Sequence, residues 1–200
     1  DGDGDRAIFC HKNYGVIETE KILTLFADMF KGNGKKTVVC TEISNMGLKE
    51  NLSEIDLELI ETELGDRIVV NKTLETNSIL GAETSGHYFF PEESTTMDGL
   101  LAFFNFLKLS ESNINLVKKL EKMKNYNVFK KNIPITKRFD LINISNLING
   151  KIKVNEKIII RESMWDLVIR FYYQYDKIDR SSFFVNELKR YISKNNYDRK

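Results

Sequence analysis

The sequence predicts a layered α/β domain followed by a small α+β unit, and three observations carry that expectation. From Arg6 to about Asn125, short apolar runs alternate with helix-period segments, as strands and helices do when stacked in layers. Beyond Asn125 the strand-like runs lie closer together, the pattern of an α+β unit. Thirteen Phe and eight Tyr among 200 residues supply large side chains for a core.

The elements follow in order. Arg6–His11 is a short apolar strand, and Asn13-Tyr14-Gly15 is a turn. Thr19 is placed to cap a helix carrying Ile22, Leu23, Phe26, Met29 and Phe30 on one face, which Gly32-Asn33-Gly34 ends. Lys36–Thr41 reads as a strand, and Ser44 as the cap of a helix through Ile55. Leu57–Thr62 is the next strand and Asp66–Leu74 a short helix. Ile79–Glu83 and His87–Phe90 are strands interrupted by Thr84-Ser85-Gly86. An apolar helix, Gly99–Leu109, and a charged one, Asn115–Met123, complete this half. Past a boundary near Lys124 come a strand at Asn127–Ile135, a helix near Leu141–Leu147, strands Lys157–Arg161 and Leu167–Tyr175, and a helix Ser182–Ser193.

Thirty basic against twenty-nine acidic residues leave a formal net charge of +1, and the basic residues are scattered among acidic ones. A nucleic-acid partner is therefore not expected. No apolar run approaches the roughly 18 residues of a membrane span, so no membrane partner is expected either. Cys10 and Cys40 lie in apolar, strand-like stretches and read as small buried hydrophobes in a reducing, cytoplasmic compartment. The chain opens at Asp1 inside an apparent motif, which reads as the C-terminal part of something longer.

Three segments carry chemistry. Asp1-Gly2-Asp3-Gly4-Asp5-Arg6 sets three carboxylates at i, i+2 and i+4, with glycines that let alternate side chains turn onto one hard cation. An EF-hand is excluded, because Arg6 stands where that loop needs Gly and Lys12 where it needs a bidentate acid. An aspartyl-phosphate phosphatase is excluded too, because the apolar strand follows the acids instead of preceding them. An acidic turn leading into a strand remains the alternative. Gly81-Ala82-Glu83-Thr84-Ser85-Gly86-His87 gathers an acceptor, a hydroxyl and an imidazole on one short loop. Such a set can hydrogen-bond vicinal sugar hydroxyls, and His87 can move protons near neutral pH. It also fits an ordinary polar strand-to-strand turn. Arg161 through Arg170 lies between two apolar strands, where two arginines and Ser163 can hold a phosphate by charge-assisted hydrogen bonds. A hairpin with exposed arginines and a buried Trp165 fits the same residues.

Taken together and in this order, the segments resemble the phosphohexomutases of the α-D-phosphohexomutase superfamily over nearly the whole chain. Asp1–Arg6 is identical to that family's metal loop. Ala82–His87 matches its G-E-x-S-G-H sugar loop except for Ala82 in place of Gly, a mild change, and Arg161–Arg170 aligns with its R-x-S-G-T-E-P-x-x-R phosphate loop. The resemblance implies that Asp1, Asp3 and Asp5 hold Mg²⁺ and that Arg6 and His87 are catalytic. It further implies that Glu83, Ser85 and His87 bind the sugar, and that Arg161, Ser163 and Arg170 bind its phosphate. It implies a domain plan of 1–15 as the end of the metal-loop domain, 16–123 as the third, sugar-recognition domain, and 124–200 as a TBP-like phosphate-binding domain. The sugar-phosphate substrate and the N-terminal domains with their phosphoserine are then the partners, and the chain alone is expected to be inactive.

Gly65-Asp66-Arg67 and Thr95-Thr96-Met97-Asp98-Gly99-Leu100 look most like the bacterial phosphoglucosamine mutases within that superfamily. That implies interconversion of glucosamine 6-phosphate and glucosamine 1-phosphate through a bisphosphate intermediate. Phosphomannomutase or phosphoglucomutase activity is the alternative within the family. The departures point to a third reading, a non-catalytic sugar-phosphate binder. Met164-Trp165-Asp166-Leu167 stands where the family has G-T-E-P, bringing bulk into a nest-type anion site. Glu63 stands where Lys is frequent, reversing a charge near a phosphosugar.

Overall fold

The computed structural model describes residues 2–112, 115–138, 141–163 and 166–197. The chain divides into two compact units, Asp1–Asn125 and Tyr126–Lys200.

The first unit begins with an antiparallel hairpin of β1 (Phe9–His11) and β2 (Gly15–Ile17). The chain continues through α1 (Thr19–Phe30), β3 (Thr37–Thr41), α2 (Gly47–Ser53), β4 (Glu58–Thr62) and α3 (Asp66–Glu75). Short strands β5 (Gly81–Ala82) and β6 (Tyr88–Phe89) follow, then α4 (Gly99–Ser112) and α5 (Leu116–Lys122). The main sheet has the order β4-β3-β5-β6, with β3 parallel to β4 and β5, and β6 antiparallel to β5. Val38, Val39 and Cys40 on β3 are all fully buried, as a central parallel strand covered on both faces requires. Val38 and Cys40 point into a core built with Phe26 of α1, Leu48 and Leu52 of α2, Ala102 of α4 and Leu120 of α5. Val39 points the other way, onto Val69 of α3, Phe89 and Met97. The sheet is thus the middle of three layers.

Two expected caps are corrected. Thr19 is the first helical residue of α1, behind an N-cap at Glu18 that makes no side-chain capping bond. Its hydroxyl instead donates to the Thr84 carbonyl at 3.3 Å. Ser44 does not cap α2, which starts at Gly47, and the Gly47 N–H donates to Asn45 Oδ1 at 3.0 Å. For Thr19 a partner 65 residues away outbid the local one, whereas at α2 the neighbouring Asn45 side chain took the place expected of Ser44. Cys10 is also corrected: it is exposed, whereas Cys40 is buried. The two-residue alternation of β1 turns Phe9 inward and Cys10 outward.

A buried lysine ties the hairpin to the end of the unit. Lys21 donates to the Tyr14 hydroxyl at 2.6 Å and to the Leu120 carbonyl at 2.8 Å. Asn51 then grips Lys124 by both backbone groups, accepting from its N–H at 2.7 Å and donating to its carbonyl at 3.0 Å.

The second unit contains β7 (Asn127–Pro134), α6 (Leu141–Asn149), β8 (Glu156–Glu162), β9 (Val168–Tyr175) and α7 (Ser181–Tyr197). Its antiparallel sheet has the order β7-β9-β8. Ile169, Phe171 and Tyr173 of β9 pack with Ile144 and Ile148 of α6 and Phe184 and Leu188 of α7. The intervening Arg170 is exposed on the opposite face. Among the described residues no helix is long and apolar enough to cross a membrane.

Glu156 closes this unit from one edge. Burial pushes its carboxyl up, but the Lys153 N–H, the Tyr173 hydroxyl and Arg180 outweigh burial and hold it below the usual carboxylate range. The Tyr173 hydroxyl and Arg180 Nη1 each donate to it at 2.8 Å. Because the unfolded chain binds this proton more readily, the stability that Glu156 contributes is complete at neutral pH. It is lost as pH falls below about 4.5. Glu156→Gln is expected to lower stability at pH 7 by about 1.5–3 kcal/mol. It should also flatten the acid limb, as read by urea unfolding of the 200-residue chain between pH 3 and 7.

Candidate functional site

The acidic loop Gly2–Arg6, expected to hold a metal, is placed by backbone contacts on two sides. Arg6 forms an isolated antiparallel bridge with His87, and the Ala7 N–H donates to the Gly86 carbonyl at 3.0 Å. The Gly99 N–H, at the start of α4, donates to the Gly4 carbonyl at 3.0 Å. The loop therefore lies between the turn that joins β5 to β6 and the first residue of α4. Both neighbours are glycines because both contacts are too close for a side chain. A Cβ at Gly99 would sit 2.5 Å from the Arg6 carbonyl carbon and oxygen. A Cβ at Gly86 would sit 2.8 Å from the Ala7 carbonyl, and Gly86 has a φ of +94° that favours glycine as well.

These contacts set the side chains. His87 Nε2 lies 3.1 Å from Asp5 Oδ2. On the other side of the ring, Nδ1 lies 3.0 Å from Glu83 Oε2 and 2.8 Å from Ser85 Oγ. A neutral imidazole can donate to only one of the two carboxylates, while a protonated ring serves both. Glu83 is held at its other oxygen by the Gly65 N–H at 2.9 Å. One chain of contacts thus runs from Gly65 through Glu83 and His87 to Asp5. Asp98 anchors the remaining side: its N–H donates to the Tyr88 carbonyl at 3.0 Å, and its Oδ1 caps α4 at the Leu101 N–H at 2.7 Å.

Of the expected site residues in this unit, Asp5, Arg6, Glu83, Ser85 and His87 are brought together, and Asp3 is exposed on the same loop. Asp1 lies outside the described residues. The loop's own donor set fits a divalent cation. Asp5 Oδ1 is cut off from solvent and, among the described residues, accepts no hydrogen bond, with Arg6 Nε 3.8 Å away. Positions Gly2 and Gly4 have open space where a Cβ would stand. A buried carboxylate oxygen without a donor, on an open carboxylate loop, fits a hard cation. Among the described residues no three His, Cys, Asp or Glu side chains form a closed cage.

The second unit carries the expected phosphate residues. Arg161 of β8 is the direct cross-strand partner of Arg170 of β9. Arg170 Nη2 donates to Ser163 Oγ at 3.4 Å, and Ser163 Oγ accepts the Asp166 N–H at 3.3 Å. Like charges opposite one another weaken a strand pair unless an anion lies between them. Arg138 joins them: Nη1 donates to Glu162 Oε2 at 3.1 Å and to the Ser163 carbonyl. Met164 and Trp165 lie outside the described residues, and Leu167 is exposed.

Sequence reasoning did not identify Gly65, Asp98, Gly99 or Arg138 as parts of these sites. Thr95–Leu100 was a visible signal, and only its position beside Gly4 shows its purpose.

The sequence profile of phosphoglucomutase/phosphomannomutase, alpha/beta/alpha domain III, matches residues 18–126. A phosphoglucosamine mutase of Thermotoga sp. (strain RQ2) is 31% identical over 198 residues, covering 96% of this chain and 46% of that protein. One from Ruthia magnifica is 31% identical over 180 residues, covering 85% of this chain and 41% of that protein. The chain spans about half the length of the curated relatives it matches. A phosphoglucomutase/phosphomannomutase family protein of Burkholderia thailandensis superposes with a TM-score of 0.78 at 18% identity, over 100% of this chain and 46% of that one. Aspergillus fumigatus N-acetylphosphoglucosamine mutase, in complex with GlcNAc-6P and magnesium, gives a TM-score of 0.71 at 15% identity. That superposition covers 94% of this chain and 51% of that one. At these identities the two structures share the fold.

The glycine contacts yield a stability test. Gly99→Ala is expected to destabilise the chain by about 1–3 kcal/mol, because backbone at both ends of the contact must shift. Gly2→Ala, with nothing within 4 Å of its Cβ, should be near neutral. Urea midpoints of the two variants against the parent decide it.

Proposed function

Because this chain belongs to the phosphoglucomutase/phosphomannomutase family, we propose that it is part of a phosphohexomutase interconverting glucosamine 6-phosphate and glucosamine 1-phosphate. The single observation that carries the reading is the seating of the metal loop against the sugar loop, with Asp5, His87, Glu83 and Ser85 in one contact chain. A phosphoserine supplied from outside these 200 residues donates the phosphoryl group. Mg²⁺ held by Asp1, Asp3 and Asp5 supplies charge that stabilises the transferring group when it is bound.

The rest falls to this chain's own side chains. Arg6, beside Asp5, offers guanidinium hydrogen bonds to phosphoryl oxygens. Ser85 and Glu83 bind sugar hydroxyls. His87 takes the proton of the attacking hydroxyl as its bond to phosphorus forms and the phosphoserine P–O bond breaks. The bisphosphate then reorients, and the reverse transfer returns one phosphoryl group to the serine. Arg161, Ser163 and Arg170 hold the phosphate that is not reacting, with Arg138 bracing the loop between them. The domain plan 1–15, 16–123 and 124–200 belongs to the same proposal. So does a reducing, cytoplasmic location, since Cys10 and Cys40 are free thiols.

A second reading, a descendant that binds sugar phosphates without turnover, is favoured by Met164-Trp165 and by the exposed Glu63. The full-length protein with Mg²⁺ and a glucose 1,6-bisphosphate activator separates the two. Turnover on glucosamine phosphates is expected, and none on glucosamine, glucose or mannose phosphates would leave the binder. A preference for glucose or mannose phosphates would assign phosphoglucomutase or phosphomannomutase activity instead. With turnover in hand, His87→Ala should lower kcat by about 10²–10⁴-fold. Arg170→Ala should act mainly on KM.

A further inference from the structure

A cavity of about 200 Å³ opens among α1, α2 and α5 in the first unit, and none of its lining residues belongs to the acidic, sugar or phosphate loops. Its apolar wall is Leu25 of α1, Ile55 just past α2, and Met123, the C-cap of α5. The volume far exceeds the roughly 30 Å³ of one water and stays below the roughly 300 Å³ at which drug-sized pockets begin. It suits a small metabolite.

The charges around it say which kind. Asp28 is already engaged, 2.8 Å from Lys31 and 4.0 Å from Lys119. Glu54 and Lys122 are exposed and, among the described residues, neither side chain has an ion-pair partner. They line one cavity with opposite charges, yet are not paired with each other. A lone anion would meet Asp28 and Glu54, and a lone cation would meet Lys119 and Lys122. An uncharged apolar molecule would leave both charges unsatisfied. A molecule with an ammonium, a carboxylate and an apolar body serves all three surfaces at once. We propose that this cavity binds a zwitterionic metabolite of the apolar α-amino acid class. Its ammonium lies on Glu54, its carboxylate on Lys122, and its side chain on Leu25, Ile55 and Met123.

The occupied cavity touches the end of the unit. Asn51 also lines it, and its amide holds the Lys124 N–H at 2.7 Å and the Lys124 carbonyl at 3.0 Å. The same carbonyl leaves no room for a Cβ at Gly47, so Lys124 is held closely from two positions of one helix. Lys124 stands one residue before the end of the unit Asp1–Asn125. A ligand resting on Asn51 and Met123 steadies that grip, and it does so whether or not the chain takes part in phosphoryl transfer.

Titration of the 200-residue chain with L-leucine, followed by calorimetry and backbone NMR, tests this. Saturable binding is expected, with a Kd of about 1 mM or tighter. Hydrogen exchange at the Lys124 amide should slow as the site fills. Glu54→Gln and Lys122→Met should each weaken binding at least about tenfold. Both replace exposed side chains, so both variants should fold. No saturation at about 10 mM L-leucine overturns the proposal. Binding that both charge variants leave unchanged overturns it as well. So does equal binding of isoamylamine or 4-methylpentanoate, each of which carries only one of the two charges.

Discussion

The close approach of backbone to backbone around Arg6 is the constraint on which the first unit's site depends. Gly86 and Gly99 come from segments far apart in sequence, and each meets the Arg6–Ala7 stretch at distances that leave no room for a Cβ. The Ala7 and Gly99 N–H groups make the contact directional, each with a 3.0 Å hydrogen bond. A carboxylate loop that would otherwise sample many conformations is thereby held in one. For the proposed phosphoryl transfer, such ordering would let positioned charge act without reorganising at the moment of reaction.

The side chains inherit that order. Glu83 is engaged at both oxygens, with Gly65 on one side and His87 and Ser85 on the other, so it cannot swing freely. His87 is consequently aimed at Asp5 from a ring that is 15% exposed. The same geometry leaves Asp5 Oδ1 with no donor among the described residues while shielding it from water. Ser85 thus stands beside an imidazole already oriented toward Asp5. The loop before α3 also joins the site through Gly65, which brings Glu63 into its neighbourhood in the sequence.

In the second unit, register performs the equivalent task. The pairing of β8 with β9 sets Arg161 opposite Arg170, on the face away from the helices. Tyr173 and Phe171 fill the helix-covered face of the same strand. Slipping the pairing by one residue would turn the arginines inward, so core packing and the outward placement of both arginines are specified by one alternation. Arg138 reaches this turn from beyond β7 and takes hold of Glu162 and the Ser163 carbonyl, steadying a loop whose usual small residues have been replaced.

The sequence by itself determined the class of fold, because periodicity reports which face of each segment avoids water. The 3.6-residue spacing of Ile22, Leu23 and Phe26 and the apolar run Val38-Val39-Cys40 were legible for that reason. It also marked candidate site residues, since Asp1–Arg6, Glu83–His87 and Arg161–Arg170 are local patterns. Tertiary structure decided what those patterns touch. Thr19 and Ser44 looked like caps, but partners distant in sequence claimed Thr19, and α2 began elsewhere. Cys10 looked buried, but its strand exposes alternate residues. Gly99 looked like part of a family signature, and only packing revealed it as the seat of the acidic loop. Local patterns encode propensity and chemistry, whereas a hydrogen bond between segments about ninety residues apart depends on the finished fold.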